Sequence, residues 1–290
     1  MTATLSTTRG ALYILLAGSA LSLGGLIVRN ITVADDWQIV FYRSSAGALG
    51  LILLIGLRDG GGVARTFRGI GWPGLCASLS ISVALITFIL SVNATSVANT
   101  LFLLAAAPFF AAVLGWLLLR ERLGQVTWIA MAVALTGVGI MVWHGVSAGS
   151  LHGNAMGLLT ALGFAGFTVA LRFGRQSDMM PAVCVASVIS AAVAAGVAVS
   201  SGAGIDIPLR EIGLCVLYGA LIAGALATFT YGSRVVPAAV LALLSLTEVL
   251  LGPVWVWLFL DEVPHGATLA GGAVLLAAIV GQAMSSLQRR

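Results

Sequence analysis

Ten long apolar stretches follow one another along the 290-residue chain, separated by short polar or glycine-rich segments. A helix needs roughly 20 mostly apolar residues to span a bilayer, whereas a membrane β-strand needs only about 9–11. The stretches therefore predict an all-α integral membrane protein with ten transmembrane helices. The predicted helices cover residues 10–29, 36–57, 70–91, 96–119, 126–144, 153–173, 181–200, 210–230, 236–260 and 266–286.

The low content of charged residues indicates the same class of protein. Charged residues make up 8% and hydrophobic residues 60% of the sequence, whereas a soluble domain has about 25% charged residues. Such a chain has too little polar surface to cover a globule in water. All 14 basic residues are arginine, and they form no basic run with interleaved aromatic residues. We therefore expect a lipid bilayer as its environment and no nucleic-acid partner.

The arginines also predict the orientation of the chain, because cytoplasmic loops of membrane proteins collect Lys and Arg. With the N-terminus in the cytoplasm, Arg29 and Arg210 lie outside and Arg43 lies within a helix. The other eleven arginines are then cytoplasmic: Arg9, Arg58, Arg65, Arg68, Arg120, Arg122, Arg172, Arg175, Arg234, Arg289 and Arg290. This distribution predicts a multi-pass protein of the inner (plasma) membrane with both termini in the cytoplasm.

The two halves of the sequence resemble each other. The segment LGWLLLRERLGQVTW, at 114–128, aligns with VWVWLFLDEVPHGATL, at 254–269, at a shift of 141, which pairs Glu121 with Glu262. Near the start of each half, a shift of 143 pairs Arg29 with Arg172.

The repeat predicts two halves of opposite orientation, residues 1–145 and 146–290, which together form one membrane domain. Each half has five predicted helices, and because five is odd, the second half enters the membrane from the other face. Inverted repeats are typical of secondary transporters, whose substrate sites lie near the bilayer midplane between the repeats.

Two segments resemble a known transporter family. LLAAAPFFAAVLGWLLLRERL, at 103–123, resembles the proline, small-residue and glutamate signature of EamA-type drug/metabolite transporters, and FYRSSAGALGLILL, at 41–54, resembles that family's second helix, with Arg43 at its usual arginine. The resemblance covers the whole chain as a five-plus-five helix plan. Within this superfamily, the ten-helix plan and the lysine-free loops are most similar to aromatic amino-acid exporters of the YddG type. One departure is that Val249, and not proline, follows Glu248 in the ninth helix.

Glu248 is the most distinctive residue of the apolar segments, because no other charged residue lies within ten positions of it. A charge at the bilayer centre costs roughly 2.5–3.5 kcal/mol on insertion scales, so such residues usually face a cavity or a partner. At helical spacing, Ser245, Gly252 and Trp255 share a face with Glu248. Three roles are open for the carboxyl group: it binds a substrate ammonium group, carries a proton that couples transport, or hydrogen-bonds neighbouring helices while neutral.

Arg43 lies about two turns inside the second predicted helix. As a structural charge it would reach outward to Asp35 or Asp36, or hold a backbone carbonyl. As a functional residue it would bind a substrate carboxylate, which suits the planar guanidinium group. Pro108 and Pro253 are the predicted helix kinks, because proline removes a backbone donor.

Polar and aromatic residues on several other helices predict a weakly polar cavity that suits an amphipathic organic molecule. Individually, each of them also fits a role in helix packing or interhelical hydrogen bonding. The predicted substrate-binding residues are Ser22, Ser80, Thr87, Asn99, Phe102, Tyr218, Thr228, Ser245, Glu248 and Trp255.

No enzyme motif is apparent in the sequence. HExxH, GxSxG and P-loop patterns are missing, and three histidines are too few for a convincing metal or catalytic cluster. The three cysteines lie in apolar segments without metal-ligand spacing. We therefore predict a protein that is not an enzyme and that has no metal or other cofactor.

The sequence and the family resemblance together predict a carrier that exports small amphipathic metabolites by alternating access, with aromatic or neutral amino acids as the best match. The resemblance alone implies export and movement of the fourth and ninth helices. Uptake or exchange of a nucleobase, a sugar derivative or a drug-like amine is an alternative. A channel or lipid scramblase is an alternative of another class.

Overall fold

The computed structural model describes residues 7–59, 66–67, 69–119, 125–147, 150–174, 178–202, 204–236 and 238–288. These residues form α-helices joined by short turns, and none of them lies in a β-strand, which confirms the all-α prediction for this part of the chain. The helices are α1 (Thr7–Ser22), α2 (Gly24–Arg29), α3 (Asp36–Asp59), α4 (Gly71–Ala94), α5 (Val97–Leu104), α6 (Ala107–Leu119), α7 (Gln125–Ser147), α8 (Leu151–Phe173), α9 (Met180–Ser200), α10 (Leu209–Gly232), α11 (Ala238–Leu260) and α12 (Gly266–Gln288).

Helix length and composition fit a multi-pass membrane protein. Within the described residues, seven helical segments are long and apolar enough to cross a bilayer: Thr8–Arg29, Asp36–Arg58, Gly71–Ala94, Val97–Leu118, Leu151–Phe173, Met180–Ser200 and Leu209–Gly232. Three shorter apolar helical stretches are Trp128–Ile140, Thr247–Leu260 and Gly266–Gly281. Some residues used to predict the repeat and the orientation lie outside the described ranges, namely Glu121, Arg65, Arg68, Arg120, Arg122, Arg175, Arg289 and Arg290.

The first and fourth predicted helices are each divided in two. Leu23 separates α1 from α2, and a turn at Ala105 and Ala106 separates α5 from α6. Pro108 is the second residue of α6; it cannot donate to the carbonyl of Leu104, and its ring crowds that carbonyl. Pro253, in contrast, lies inside α11, which continues to Leu260.

The distribution of side chains is that of a protein in lipid. Large apolar residues such as Leu57, Trp72 and Trp143 are exposed on the outside of the bundle. Buried hydroxyl groups join helices inside it: Ser78 donates to the carbonyl of Ala182 at 2.9 Å. Lipid tails are as apolar as leucine, so packing and interhelical hydrogen bonds hold such helices together.

Helices α3 and α10 cross with their backbones in contact. A Cβ atom on Gly219 of α10 would lie 2.1 Å from the carbonyl oxygen of Arg43 in α3. Only glycine therefore fits at this crossing, and the close approach brings the Tyr218 ring beneath the Arg43 side chain, with the guanidinium carbon 5.4 Å from the ring centroid.

Ionic contacts define the two ends of the bundle. At the first, which we call the Glu262 end, Arg29 Nε donates to Glu262 at 2.8 Å and Arg29 Nη2 donates to the carbonyl of Thr95 at 2.8 Å. The N–H of Val97 donates to the same Glu262 carboxylate at 2.9 Å. At the opposite end, which we call the Asp178 end, Asp178 pairs with Arg58 and Arg234.

Candidate functional site

A cavity of about 50 Å³ lies among helices from both halves of the chain. The lining is mostly aliphatic and aromatic, and its polar side chains are those of Arg43, Thr160, Tyr218 and Glu248. The lining residues are Leu21, Arg43, Ile81, Ala84, Leu85, Phe88, Leu104, Thr160, Phe164, Tyr218, Ile222, Leu226 and Glu248.

Arg43 of α3 is buried in the wall of this cavity, with 2% of its surface exposed. Its Nη2 donates to the carbonyl of Leu85 in α4 at 2.9 Å. Its Nη1 is buried and has no hydrogen-bond partner among the described residues. The guanidinium group is therefore fixed by a backbone carbonyl and an aromatic ring, but its donors are only partly used.

Glu248 of α11 is partly buried and lines the same cavity. Gly18 of α1 packs close to it, because a Cβ atom on Gly18 would lie 3.6 Å from the backbone nitrogen of Glu248. Ser245, one turn away, donates to the carbonyl of Leu241 at 2.9 Å and not to the carboxyl group. Within the described ranges, the Glu248 carboxyl group has no hydrogen bond or ion pair, so it is bonded neither to Arg43 nor to a polar group of a neighbouring helix.

Three predicted binding residues lie in contacts between α1, α5, α11 and α12. Trp255 Nε1 donates to Ser22 Oγ at 2.9 Å, which joins α11 to α1. Phe102 packs on Gly272 of α12, where a Cβ atom would lie 2.7 Å from its ring.

Three others lie between α4, α5 and α8. Thr87 is 2.8 Å from the Thr160 hydroxyl of the cavity wall. Asn99 donates to the side-chain oxygen of Asn154 at 2.5 Å. Ser80 packs on Gly166 of α8. The side of α4 that carries Ser80 and Thr87 thus faces α8.

Of the ten predicted substrate-binding residues, Tyr218 and Glu248 line the cavity. Arg43, which was predicted as a coupling or structural charge, lines it too. Thr228 donates to the carbonyl of Gly224 in its own helix, as Ser245 does within α11. Substrate contact by these residues stays a prediction.

Most residues of the apolar cavity wall, including Ile81, Phe164 and Ile222, were not predicted from the sequence. In α4 the apolar face of Ile81, Ala84, Leu85 and Phe88 borders the cavity. Because nearly every face of these helices is apolar, hydrophobic periodicity carries no signal for which face meets the cavity.

Comparison with known proteins relates the first half of the chain to a transporter family. Residues 8–143 match the EamA-like transporter family. The pseudopaline exporter CntI from two strains of Pseudomonas aeruginosa is 26% identical to this chain over 273 residues, which cover 93% of this chain and 94% of the exporter. A solved crystal structure of another protein has the same fold, with a TM-score of 0.71 and 15% identity over 97% of this chain and 99% of that chain.

Proposed function

We propose that this protein, which contains an EamA-like transporter domain in its first half, is a secondary transporter that exports small amphipathic metabolites, with aromatic or neutral amino acids as its substrates. The observation that carries the proposal is the cavity: an apolar and aromatic wall that holds the Glu248 carboxyl group without a partner among the described residues. Such a wall suits an apolar side chain, and the carboxyl group suits an ammonium group. A relative that is by its name an exporter supports this direction of transport.

The proposed architecture is ten transmembrane helices in two inverted repeats, residues 1–145 and 146–290. The seven long spans and three shorter apolar stretches support this count. Cavity residues come from both repeats, as expected for a site between inverted halves. Arg58 and Arg234 at the Asp178 end support a cytoplasmic location for that end, with both termini on the same side and the inner membrane as the site of the protein.

Alternating access would then operate between the two ends of the bundle. Two contacts near the Glu262 end would close the path from the cavity: Trp255 donates to Ser22, and a Cβ atom on Gly252 would lie 2.1 Å from the side chain of Leu101. Beyond them lies the ion pair of Arg29 with Glu262. Release of substrate to the outside would require α5 and α11 to separate at this end.

A counterflow screen in proteoliposomes tests the proposed function. Vesicles preloaded with unlabelled tryptophan, phenylalanine, leucine, a nucleobase or a quaternary amine are diluted into a labelled form of the same solute. We expect saturable uptake of labelled tryptophan and phenylalanine, with mutual competition. Asp261→Asn, an exposed position outside the cavity, is the control variant and is expected to transport like the unaltered protein.

The other outcomes identify the alternatives. Counterflow of the nucleobase or quaternary amine, without transport of or competition by the amino acids, would reject the substrate assignment. Flux that rises linearly with concentration and shows no competition would favour a channel. Movement of labelled lipid between leaflets without solute flux would favour a scramblase.

A further inference from the structure

We infer that Arg43 and Glu248 form a two-ended subsite for a zwitterionic ligand, with a carboxylate at Arg43 and an ammonium group at Glu248. The inference rests on the proposed function, because it assigns the ligand class of the same cavity. Each charge of the ligand pairs with one of these two residues, and tight binding requires both charges.

The Arg43 end is a preformed carboxylate receptor. Nη2 is held by the carbonyl of Leu85 at 2.9 Å, and the guanidinium group lies over the Tyr218 ring. Nη1 is buried without a partner among the described residues. A buried cationic group with an unused donor is costly in an apolar surrounding. A ligand carboxylate would satisfy this donor, and a guanidinium group fits a carboxylate in shape as well as charge.

The Glu248 end supplies the opposite charge from another helix. Glu248 and Arg43 line one cavity, yet no ion pair joins them among the ion pairs of the described residues. Two opposite charges that met directly would neutralise each other and need no ligand. Because they do not meet, each lacks a salt-bridge partner, and a ligand with both charges would pair with the two at once.

The rest of the cavity defines the remainder of the ligand. Phe88, Phe164, Ile81 and Ile222 supply aromatic and aliphatic surface beside the two charges. This surface would bind an apolar body and would not compensate a further charge. The ligand class is therefore a small zwitterion with one apolar side chain, as in an aromatic or large aliphatic α-amino acid.

Three ligands of the same ring system test each charge separately. Tryptophan has both charges, tryptamine lacks the carboxylate, and indole-3-propionate lacks the ammonium group. Binding to the purified full-length protein in detergent is measured by ligand-induced thermal stabilisation. A ligand that lacks one charge leaves a protein charge unpaired, so we expect tryptophan to bind at least about tenfold more tightly than either analogue.

Two variants assign each charge to its residue. Arg43→Gln should abolish the preference for tryptophan over tryptamine and retain its preference over indole-3-propionate. Glu248→Gln should do the reverse. Arg210→Gln, at an exposed position at the start of α10, should retain both preferences. Arg43→Lys keeps the positive charge but lacks the planar guanidinium group, so it should bind tryptophan more weakly than the unaltered protein. This variant replaces Arg43→Gln in the test if Arg43→Gln does not fold.

Several results would overturn the inference. Equal binding of the three indoles by the unaltered protein would do so, as would an equal loss of all three in each variant. If the protein binds none of the three indoles, the measurement is repeated with leucine, isopentylamine and 4-methylpentanoate. Failure to bind any of these three ligands as well would also overturn the inference. The proposed function fails separately: charge-dependent binding without counterflow would reject transport alone, whereas counterflow of amino acids without charge preference would reject the subsite alone.

Discussion

Glu248 lies in surroundings where a bound ligand or a proton would serve as the partner of its carboxyl group. It is carried by an apolar helix, lines the cavity, and has no partner among the residues that the structure describes. A permanent carboxylate there would be costly. A ligand ammonium group or a bound proton would each remove that cost, and the two could alternate during a transport cycle.

Substitution of Glu248 by glutamine separates proton coupling from substrate movement. If Glu248 carries the coupling proton, Glu248→Gln should no longer accumulate tryptophan in response to a pH gradient, because an amide does not exchange a proton in this range. Counterflow at saturating tryptophan, which needs no net proton movement, should persist. Transport driven by an imposed pH gradient and counterflow are measured in the same proteoliposomes.

Asp261→Asn makes the same chemical change outside the cavity and should leave pH-driven transport intact. Unchanged pH-driven accumulation by Glu248→Gln would exclude this residue as the proton carrier. Its role would then be limited to binding.

At the scale of the helix, the crossing of α3 and α10 positions the Arg43 end of the cavity. Gly219 leaves no room for a side chain at this crossing, where a Cβ atom would lie 2.1 Å from the Arg43 carbonyl oxygen. Tyr218, the preceding residue, contacts the Arg43 guanidinium group. The spacing of the two helices therefore controls the guanidinium position.

Substitution of Gly219 by alanine should push these helices apart. Overpacking of this kind typically costs about 1–3 kcal/mol, so we expect Gly219→Ala to lower the thermal unfolding temperature and to weaken tryptophan binding. Gly224→Ala is the matched control, because it lies on the same helix and its Cβ atom would have nothing within 4 Å. The prediction fails if both variants unfold and bind alike.

The helices themselves were largely predictable, but their contacts were not. Apolar length located the helical segments to within a few residues, and proline chemistry indicated a break near Pro108. Ser80 and Thr87 of α4 were predicted to bind substrate, which stays a prediction, and the sequence did not indicate that Thr87 contacts Thr160 and Ser80 packs on Gly166 of α8. There Ser91 donates to the carbonyl of Gly153 at 2.8 Å.

At the scale of the whole molecule, contacts between segments far apart in sequence join the helices at the Glu262 end. Arg29 and Glu262 are partly exposed, with 26% and 22% of their side-chain surfaces accessible. An ion pair of this kind is worth at most about 1 kcal/mol. Its loss would raise the population open at this end by up to about fivefold.

Labelling of a cysteine placed beneath this end measures that population. Leu101 is 1% exposed and packs on Gly252, so Leu101→Cys should react slowly with a membrane-impermeant maleimide added outside. Glu262→Gln should raise the labelling rate by up to about fivefold.

The measurement needs a background in which the native cysteines Cys76, Cys184 and Cys215 are replaced by alanine. Asp261→Asn is the control, because it changes the neighbouring carboxylate without touching Arg29. Equal labelling rates in all three proteins would show that the ion pair does not hold this end closed.

The sequence by itself determined the all-helical membrane class, the approximate helix bounds, and the positions of Arg43 and Glu248 inside apolar segments. These follow from local properties: apolar length, the missing N–H of proline and the cost of a charge in lipid. The tertiary structure decided which side chains meet. It placed Arg43 on the Leu85 carbonyl and brought Arg43 and Glu248 into one cavity without pairing them. Since these helices are apolar on nearly every face, only the packing of one backbone against another selects the face that borders the cavity.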